Sequence, residues 1–186
     1  MSEKLILIVG RTGTGKSVIA DYLAERLGVK QVKSYTTRPP RKGEDIKSDH
    51  IFISSLDVEK YKDDIAAYTK IGEYEYFTTW DMLKDCGLYV IDPVGVRDLR
   101  EAMAKRNKHI NTQILYVLVN KNVRTSRIAG RGDIPQNVKS RMEAEEGQFA
   151  KFEESVLLGF PEITLIDNSL DFENTKKQLN KLFPVK

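Results

Sequence analysis

Eight consecutive residues, Gly10-Arg11-Thr12-Gly13-Thr14-Gly15-Lys16-Ser17, match the pattern G-x-x-x-x-G-K-[ST]. Such a run can bind phosphate. Its glycines let the backbone curl until successive N–H groups point at phosphate oxygens. A helix opening at Lys16 and running on through Val18 adds the positive end of its dipole. Lys16 has the reach for the β- and γ-phosphates of a nucleoside triphosphate, and the Ser17 hydroxyl can hold Mg²⁺. A second cationic group stands at Arg38 and Arg41, three apart in the proline-stiffened stretch Thr37-Arg38-Pro39-Pro40-Arg41-Lys42-Gly43. Two guanidiniums so placed can grip one anion from two sides with charge-assisted bonds. The same spacing also fits a pair of solvated surface arginines.

The elements that must position these groups read as strands alternating with helices. Residues 4–9 form a short apolar run bounded by glycine, the pattern of a strand covered on both faces. Apolar residues at helical spacing follow over 17–27, with Gly28 as the stop. Further strands are expected over 29–34, 50–54, 73–79, 88–91, 113–119 and 163–166. Helices are expected over 56–68 with Ser55 as cap, over 96–105, from Val123 to a break at 130–135, over 136–152, and over 171–182. The alternation implies right-handed crossovers and a mostly parallel sheet in a three-layer α/β fold. Residues 35–80 depart from it. Their prolines, aromatics and threonines suggest an inserted α+β lobe on a core made of residues 1–34 and 81–186.

Composition narrows the class. A chain of 186 residues with 40% hydrophobic and 31% charged residues has the material for one globular core. No apolar run approaches the roughly 20 residues that span a bilayer, and the opening Met1-Ser2-Glu3-Lys4-Leu5 lacks the layout of a signal peptide. No membrane partner is expected. A net charge of +3, with Lys and Glu interspersed, speaks for a solvated surface, and no nucleic-acid partner is expected. One cysteine, Cys86, cannot form an internal disulfide and suits a reducing compartment, so a cytoplasmic location is expected. Two histidines and one cysteine do not make a structural metal site. Trp80 reads as core, His109 as surface, and residues 105–108 as a solvated helix end.

The stretch Ser34-Tyr35-Thr36-Thr37-Arg38-Pro39-Pro40-Arg41-Lys42-Gly43-Glu44 resembles the S-H-T-T-R-x-P-R-x-G-E signature of the guanylate kinase family, and Arg127-Ile128-Ala129-Gly130-Arg131-Gly132-Asp133 resembles that family's R-L-x-x-R-G lid. The likeness runs from the phosphate loop to about Arg141, with a weaker echo at Asp167-Asn168-Ser169-Leu170. It implies a P-loop NTPase fold with an acceptor-binding lobe and a mobile lid over about 124–145. It further implies ATP as donor, Mg²⁺ as cofactor, and small-molecule nucleotides as partners, with GMP or dGMP as acceptor. By the same resemblance Ser34 would bond the base, Arg38 and Arg41 the acceptor phosphate, Tyr76 the phosphate and Thr78 the base. Asp92 would approach the acceptor or the metal, and Arg127, Arg131 and Arg141 would close over the transferring phosphoryl group beside Lys16.

Three positions depart from the family's pattern. His50 replaces the tyrosine of D-Y-x-F, though an imidazole can still reach a phosphate. Phe77 replaces the glycine of Y-G-[ST]. Nine residues before Tyr76, where a glutamate would read guanine, stands Ala67, and a shifted alignment would bring up Asp64, Glu73 or Glu75 instead. Phosphate-handling residues are thus better kept than base-reading ones. Two other readings follow: a kinase of the same fold acting on another nucleotide or phosphorylated metabolite, and a non-catalytic binding module. The second has little reason to keep Lys16 together with the lid arginines.

Overall fold

The computed structural model describes residues 4–40, 49–130, 135–159 and 162–184. Its centre is β1 (Leu5–Val9), whose five residues are all buried. Leu5, Leu7 and Val9 point into one core and Ile6 and Ile8 into another, because successive strand side chains face opposite ways. A strand covered on both faces needs apolar residues at every position, which explains its unbroken hydrophobic run. Around it lie β2 (Lys30–Gln31), β7 (Cys86–Val90), β8 (Thr112–Leu118) and β9 (Ile163–Asp167) in the order β2-β7-β1-β8-β9, with every pairing parallel. Helices α1 (Lys16–Leu27) and α6 (Phe172–Leu182) cover one face, through Ile19, Leu23 and Leu179. Helices α3 (Pro93–Lys105) and α5 (Pro135–Leu157) cover the other, through Val96, Leu99 and Phe149. The expected three-layer, mostly parallel α/β fold is what the chain adopts.

A second, four-stranded sheet has the order β4-β3-β6-β5, built from β3 (Ser34–Thr36), β4 (His50–Phe52), β5 (Ile65–Ile71) and β6 (Tyr74–Thr79). Its β3–β4 pair is parallel and the others antiparallel. Two expectations change here. The strand read over 29–34 is two strands in two sheets, β2 and β3. The helix read over 56–68 is a 3₁₀ segment (Ser55–Asp64) followed by β5, and Ser54 rather than Ser55 caps it, accepting from the Leu56 amide. Ile65, Tyr68, Thr69 and Ile71 are β-branched or aromatic, and Gly72 at φ 61° supplies the tight turn that folds β5 back onto β6. Long-range pairing overrides the helical reading. Between the sheets lie the four-residue helix α2 (Trp80–Leu83) and the buried Trp80 ring, while α4 (Lys121–Ala129) follows β8. His109 is exposed, as expected.

Candidate active site

The phosphate loop joins the end of β1 to α1. Gly13 and Gly15 hold φ of 83° and 86°, left-handed values that a side chain rarely tolerates. Space is as restrictive as torsion. A Cβ at Gly15 would stand 2.6 Å from Asn168 Nδ2, and one at Gly13 would stand 2.8 Å from Ile128 Cγ1. Gly15 is the N-cap of α1 and brings no side-chain bond, nor is there an acid in the first turn. The helix therefore offers its N-terminal amides and dipole to the space in front of Lys16. From the β9–α6 connection, Asn168 braces the loop: its Nδ2 donates to Thr14 O at 2.8 Å, and its Oδ1 accepts from Thr175 Oγ1 at 2.7 Å. Thr14 Oγ1 donates to Arg11 O, and Lys16 Nζ donates to Gly10 O at 2.6 Å and to Arg11 O at 3.1 Å.

Acidic residues of α5 meet this loop, an arrangement the sequence reading did not foresee. Glu145, Phe149 and Glu153 recur every four residues and so share one helix face. The Glu153 carboxylate accepts from Arg11 Nε and Nη2, both at 2.8 Å, while Glu146 accepts from Arg11 Nη1 at 2.7 Å. The Arg11 guanidinium lies 5.2 Å from the Phe149 ring centre. Tyr116 donates a short bond to Glu153, and Glu145 accepts from the Thr12 amide and hydroxyl. Arg11 was expected among the triphosphate contacts, but its side chain is turned to α5, because two carboxylates there accept three bonds from its fork of N–H donors. The only trace in sequence is the i, i+4, i+8 spacing of 145, 149 and 153.

Arg11 holds the Glu153 carboxyl below the usual glutamate range. A depressed folded value means stability that is present above the ordinary value of 4.5 and is lost as pH falls below it. Glu153→Gln should cost about 2 kcal/mol at pH 7, and thus lower Tm by about 4–8 °C. Thermal melts across a pH series should show that gap closing as pH drops through 4.5 toward 3, since wild type then loses the same charge. A gap independent of pH would contradict the ion pair as its cause.

In front of the loop opens a cleft of about 350 Å³. Gly10, Thr12, Gly13, Gly15, Lys16, Ser17 and Val18 form one wall, and Ser34, His50, Ala67, Thr69 and Tyr76 of the second sheet form the other. Asp92 lies in it too. Ser34 Oγ and His50 Nδ1 are 2.8 Å apart, and the His50 ring meets Tyr76 edge-on with centroids 5.6 Å apart. Asp92 is the N-cap of α3, accepting from the Val94 and Gly95 amides at 2.8 and 2.9 Å. Burial pushes its carboxyl above the usual aspartate range, opposed by those two bonds. Its assigned approach to acceptor or metal is thus shared with a structural duty.

Other expected residues lie elsewhere. Arg38 does not line the cleft: its Nη1 donates to Pro39 O at 2.8 Å and its guanidinium lies 5.5 Å from the Phe52 ring centre, a local carbonyl and ring holding it against the lobe. Thr78 is fully buried two residues beyond Tyr76 and stops short of the cleft. Arg127 reaches Leu170 O at 3.5 Å rather than the cleft, since α4 turns Ile128 toward Gly13. Arg124, not singled out by the sequence, is buried one turn before Ile128, with its Cγ 3.0 Å from a Cβ at Gly13. Arg41 and Arg131 fall outside the described residues, as does the side chain of Arg141 in α5. The acids weighed for base reading are not in the cleft wall. Glu75 accepts from Tyr68 Oη at 2.7 Å, Asp64 accepts from the Asp81 amide, and Glu73 is exposed.

A family model described as "AAA domain" matches residues 6–149, a range that holds the glycine loop and helix just described and all but the first residue of β1. The chain belongs to the AAA domain family. Within this AAA domain chain, 73 residues are 36% identical to a guanylate kinase of Fusobacterium nucleatum subsp. nucleatum, covering 38% of the chain and 40% of that relative. The match thus spans two fifths of the curated relative's length. Among solved structures, a guanylate kinase from Anaplasma phagocytophilum superposes with a TM-score of 0.63 at 19% identity, over 96% of this chain and 82% of that one. At that identity the likeness speaks to the AAA domain chain's fold. Among its described residues no helix is long and apolar enough to cross a membrane, and no group of three or more His, Cys, Asp or Glu could hold a metal ion.

Proposed function

We propose that the chain is an ATP-dependent nucleoside monophosphate kinase that moves the γ-phosphoryl group of ATP onto GMP or dGMP. The observation that carries this reading is a single cleft walled on one side by the phosphate loop and on the other by Ser34, His50 and Tyr76. An ATPase or GTPase needs only the first wall; a phosphotransferase to a second small molecule needs both. Partial identity to a guanylate kinase supports the choice of acceptor.

On this reading the loop amides, Lys16 and the α1 N-terminus hold the donor's phosphates, and the second sheet presents the acceptor. An acceptor phosphate oxygen attacks the γ-phosphorus, the bond to the β-phosphate oxygen breaks, and ADP leaves. The attacking oxygen is already anionic at neutral pH, so no strong base is required, and catalysis consists of positioning and charge neutralisation. The left-handed glycines of the loop and the uncapped N-terminus of α1 suit a phosphate chain, and the Ser17 hydroxyl in the cleft suits Mg²⁺. Bound there, Mg²⁺ would supply positive charge to the β- and γ-phosphates. Arg127, Arg131 and Arg141 are proposed to close over the donor, and Arg41 with Arg38 to take the acceptor phosphate once Arg38 leaves Pro39. Half-buried, unpaired Cys86 supports a reducing compartment, and the cytoplasm is the proposed location.

One observation favours a second acceptor. Ala67 is buried in the cleft wall and Glu75 is bonded to Tyr68, so the position where the resemblance would put a guanine-reading glutamate carries no carboxylate, and the acids that line the cleft, Asp21, Asp49, Asp92 and Glu145, come from other positions. Purified protein with Mg²⁺ and ATP should be tested against ribo- and deoxyribonucleoside monophosphates by coupled ADP release. GMP or dGMP is expected to be turned over best. A clear preference for another monophosphate transfers the assignment to that acceptor. Absence of turnover with every monophosphate overturns the kinase reading.

A further inference from the structure

Glu145 is only 5% exposed and lines the same cleft as Lys16 and Ser17. Both of its carboxylate oxygens lie 3.0 Å from the Thr12 amide nitrogen, and the Thr12 hydroxyl donates a further short bond. An acid from a helix 133 residues away thus occupies a main-chain donor of the phosphate loop. A carboxylate offers such an amide what a phosphate offers, a delocalised negative charge on oxygens that accept from N–H. Two anions cannot share one small cationic cleft without repulsion.

We propose that Glu145 is an internal competitor for the phosphate loop, so that a donor's phosphates and this carboxylate exclude one another and donor binding frees the Glu145 end of α5. The proposal rests on the reading that donor phosphates enter this loop, and it names a control on that site. The build of α5 supports it. Phe149 and Glu153, one and two turns further on, anchor the helix independently through Arg11. Exposed Glu146 adds one bond to the same guanidinium, and between it and the Phe149–Glu153 anchor stands Gly147, with nothing within 4 Å of where a Cβ would be. A glycine that no packing requires weakens a helix interior, and here it lies between the Glu145 end and the two-bond, ring-backed hold of Arg11 on Glu153 and Phe149.

Glu145→Gln keeps the size and one acceptor oxygen of the side chain while removing its charge. Calorimetric titration of the full chain with tripolyphosphate, ATP and adenosine should show the first two binding about tenfold more tightly to the variant, because wild type must first empty the loop. Adenosine, which carries no phosphate, should change less than twofold. Hydrogen exchange on wild type should show α5 amides before Gly147 losing protection when tripolyphosphate is added, and those after it keeping theirs. Polyphosphate affinity that is unchanged or weaker in the variant, or that shifts together with adenosine, overturns the proposal and leaves the loop's phosphate binding intact. If neither protein binds tripolyphosphate or ATP, the phosphate-site reading itself has failed and this proposal with it.

Discussion

If the chain is the kinase proposed above, Lys16→Met is expected to abolish most phosphoryl transfer while leaving the fold in place. The Lys16 ammonium bonds two main-chain oxygens of its own loop, Gly10 O and Arg11 O, so it stands at the mouth of the cradle. Methionine preserves much of the side chain's length and apolar stem, so packing is little disturbed. What goes is a fixed positive charge where negative charge builds between donor and acceptor. Removing one such group typically costs about 10²- to 10³-fold in kcat, and that loss is expected here in the coupled ADP-release assay. The two main-chain bonds share one charged, partly exposed donor and together contribute about 1.5–3 kcal/mol, so Tm should fall by no more than about 3–12 °C. Turnover within threefold of wild type would remove Lys16 from the chemistry; a collapse of Tm would mean the loss was structural.

Gly15→Ala is expected to damage stability and binding together. At φ 86° a Cβ crowds its own backbone, which costs about 1–2 kcal/mol. The same Cβ would lie 2.6 Å from Asn168 Nδ2, and that amide is not free to retreat, being bonded to Thr14 O and Thr175 Oγ1. Relief requires breaking the brace or shifting the loop, for a total of about 2–4 kcal/mol. A shift of about 1 Å in the cradle can cost roughly 100-fold in rate. Gly28→Ala is the matched control: φ is 63°, but nothing lies within 4 Å of its Cβ. It should cost about 1 kcal/mol and leave ATP affinity unchanged. Denaturant titration and ATP binding, measured on both variants, separate the two; equal behaviour would show that torsion alone, and not the Asn168 contact, sets the requirement at Gly15.

The phosphate loop was legible because its chemistry is local. Eight contiguous residues carry the glycines, the lysine and the hydroxyl, and the apolar strand before them and the periodic helix after them are set by short-range patterning. The buried strands of the main sheet were legible for the same reason, as runs apolar on both faces. The helix expected over 56–68 failed because its residues satisfy their backbone across a ladder with β6, and local spacing does not report a partner strand. Arg38 illustrates a subtler gap. Its presence and spacing are visible in sequence, but its direction is not, and Pro39 O with the Phe52 ring now hold it.

From residue order alone came a phosphate-binding loop in a three-layer α/β chain, because backbone torsion, helix polarity and strand burial are properties of neighbours. Only the folded chain placed Glu145, Glu146 and Glu153 against Thr12 and Arg11, set Asn168 beneath Gly15, and brought Ser34, His50 and Tyr76 across from Lys16. These contacts join residues far apart along the chain, up to 154 positions for Asn168 and Thr14. Charge and hydrogen bonding act through distance in space, and where a side chain points is settled by which distant group can satisfy it once the sheets have packed.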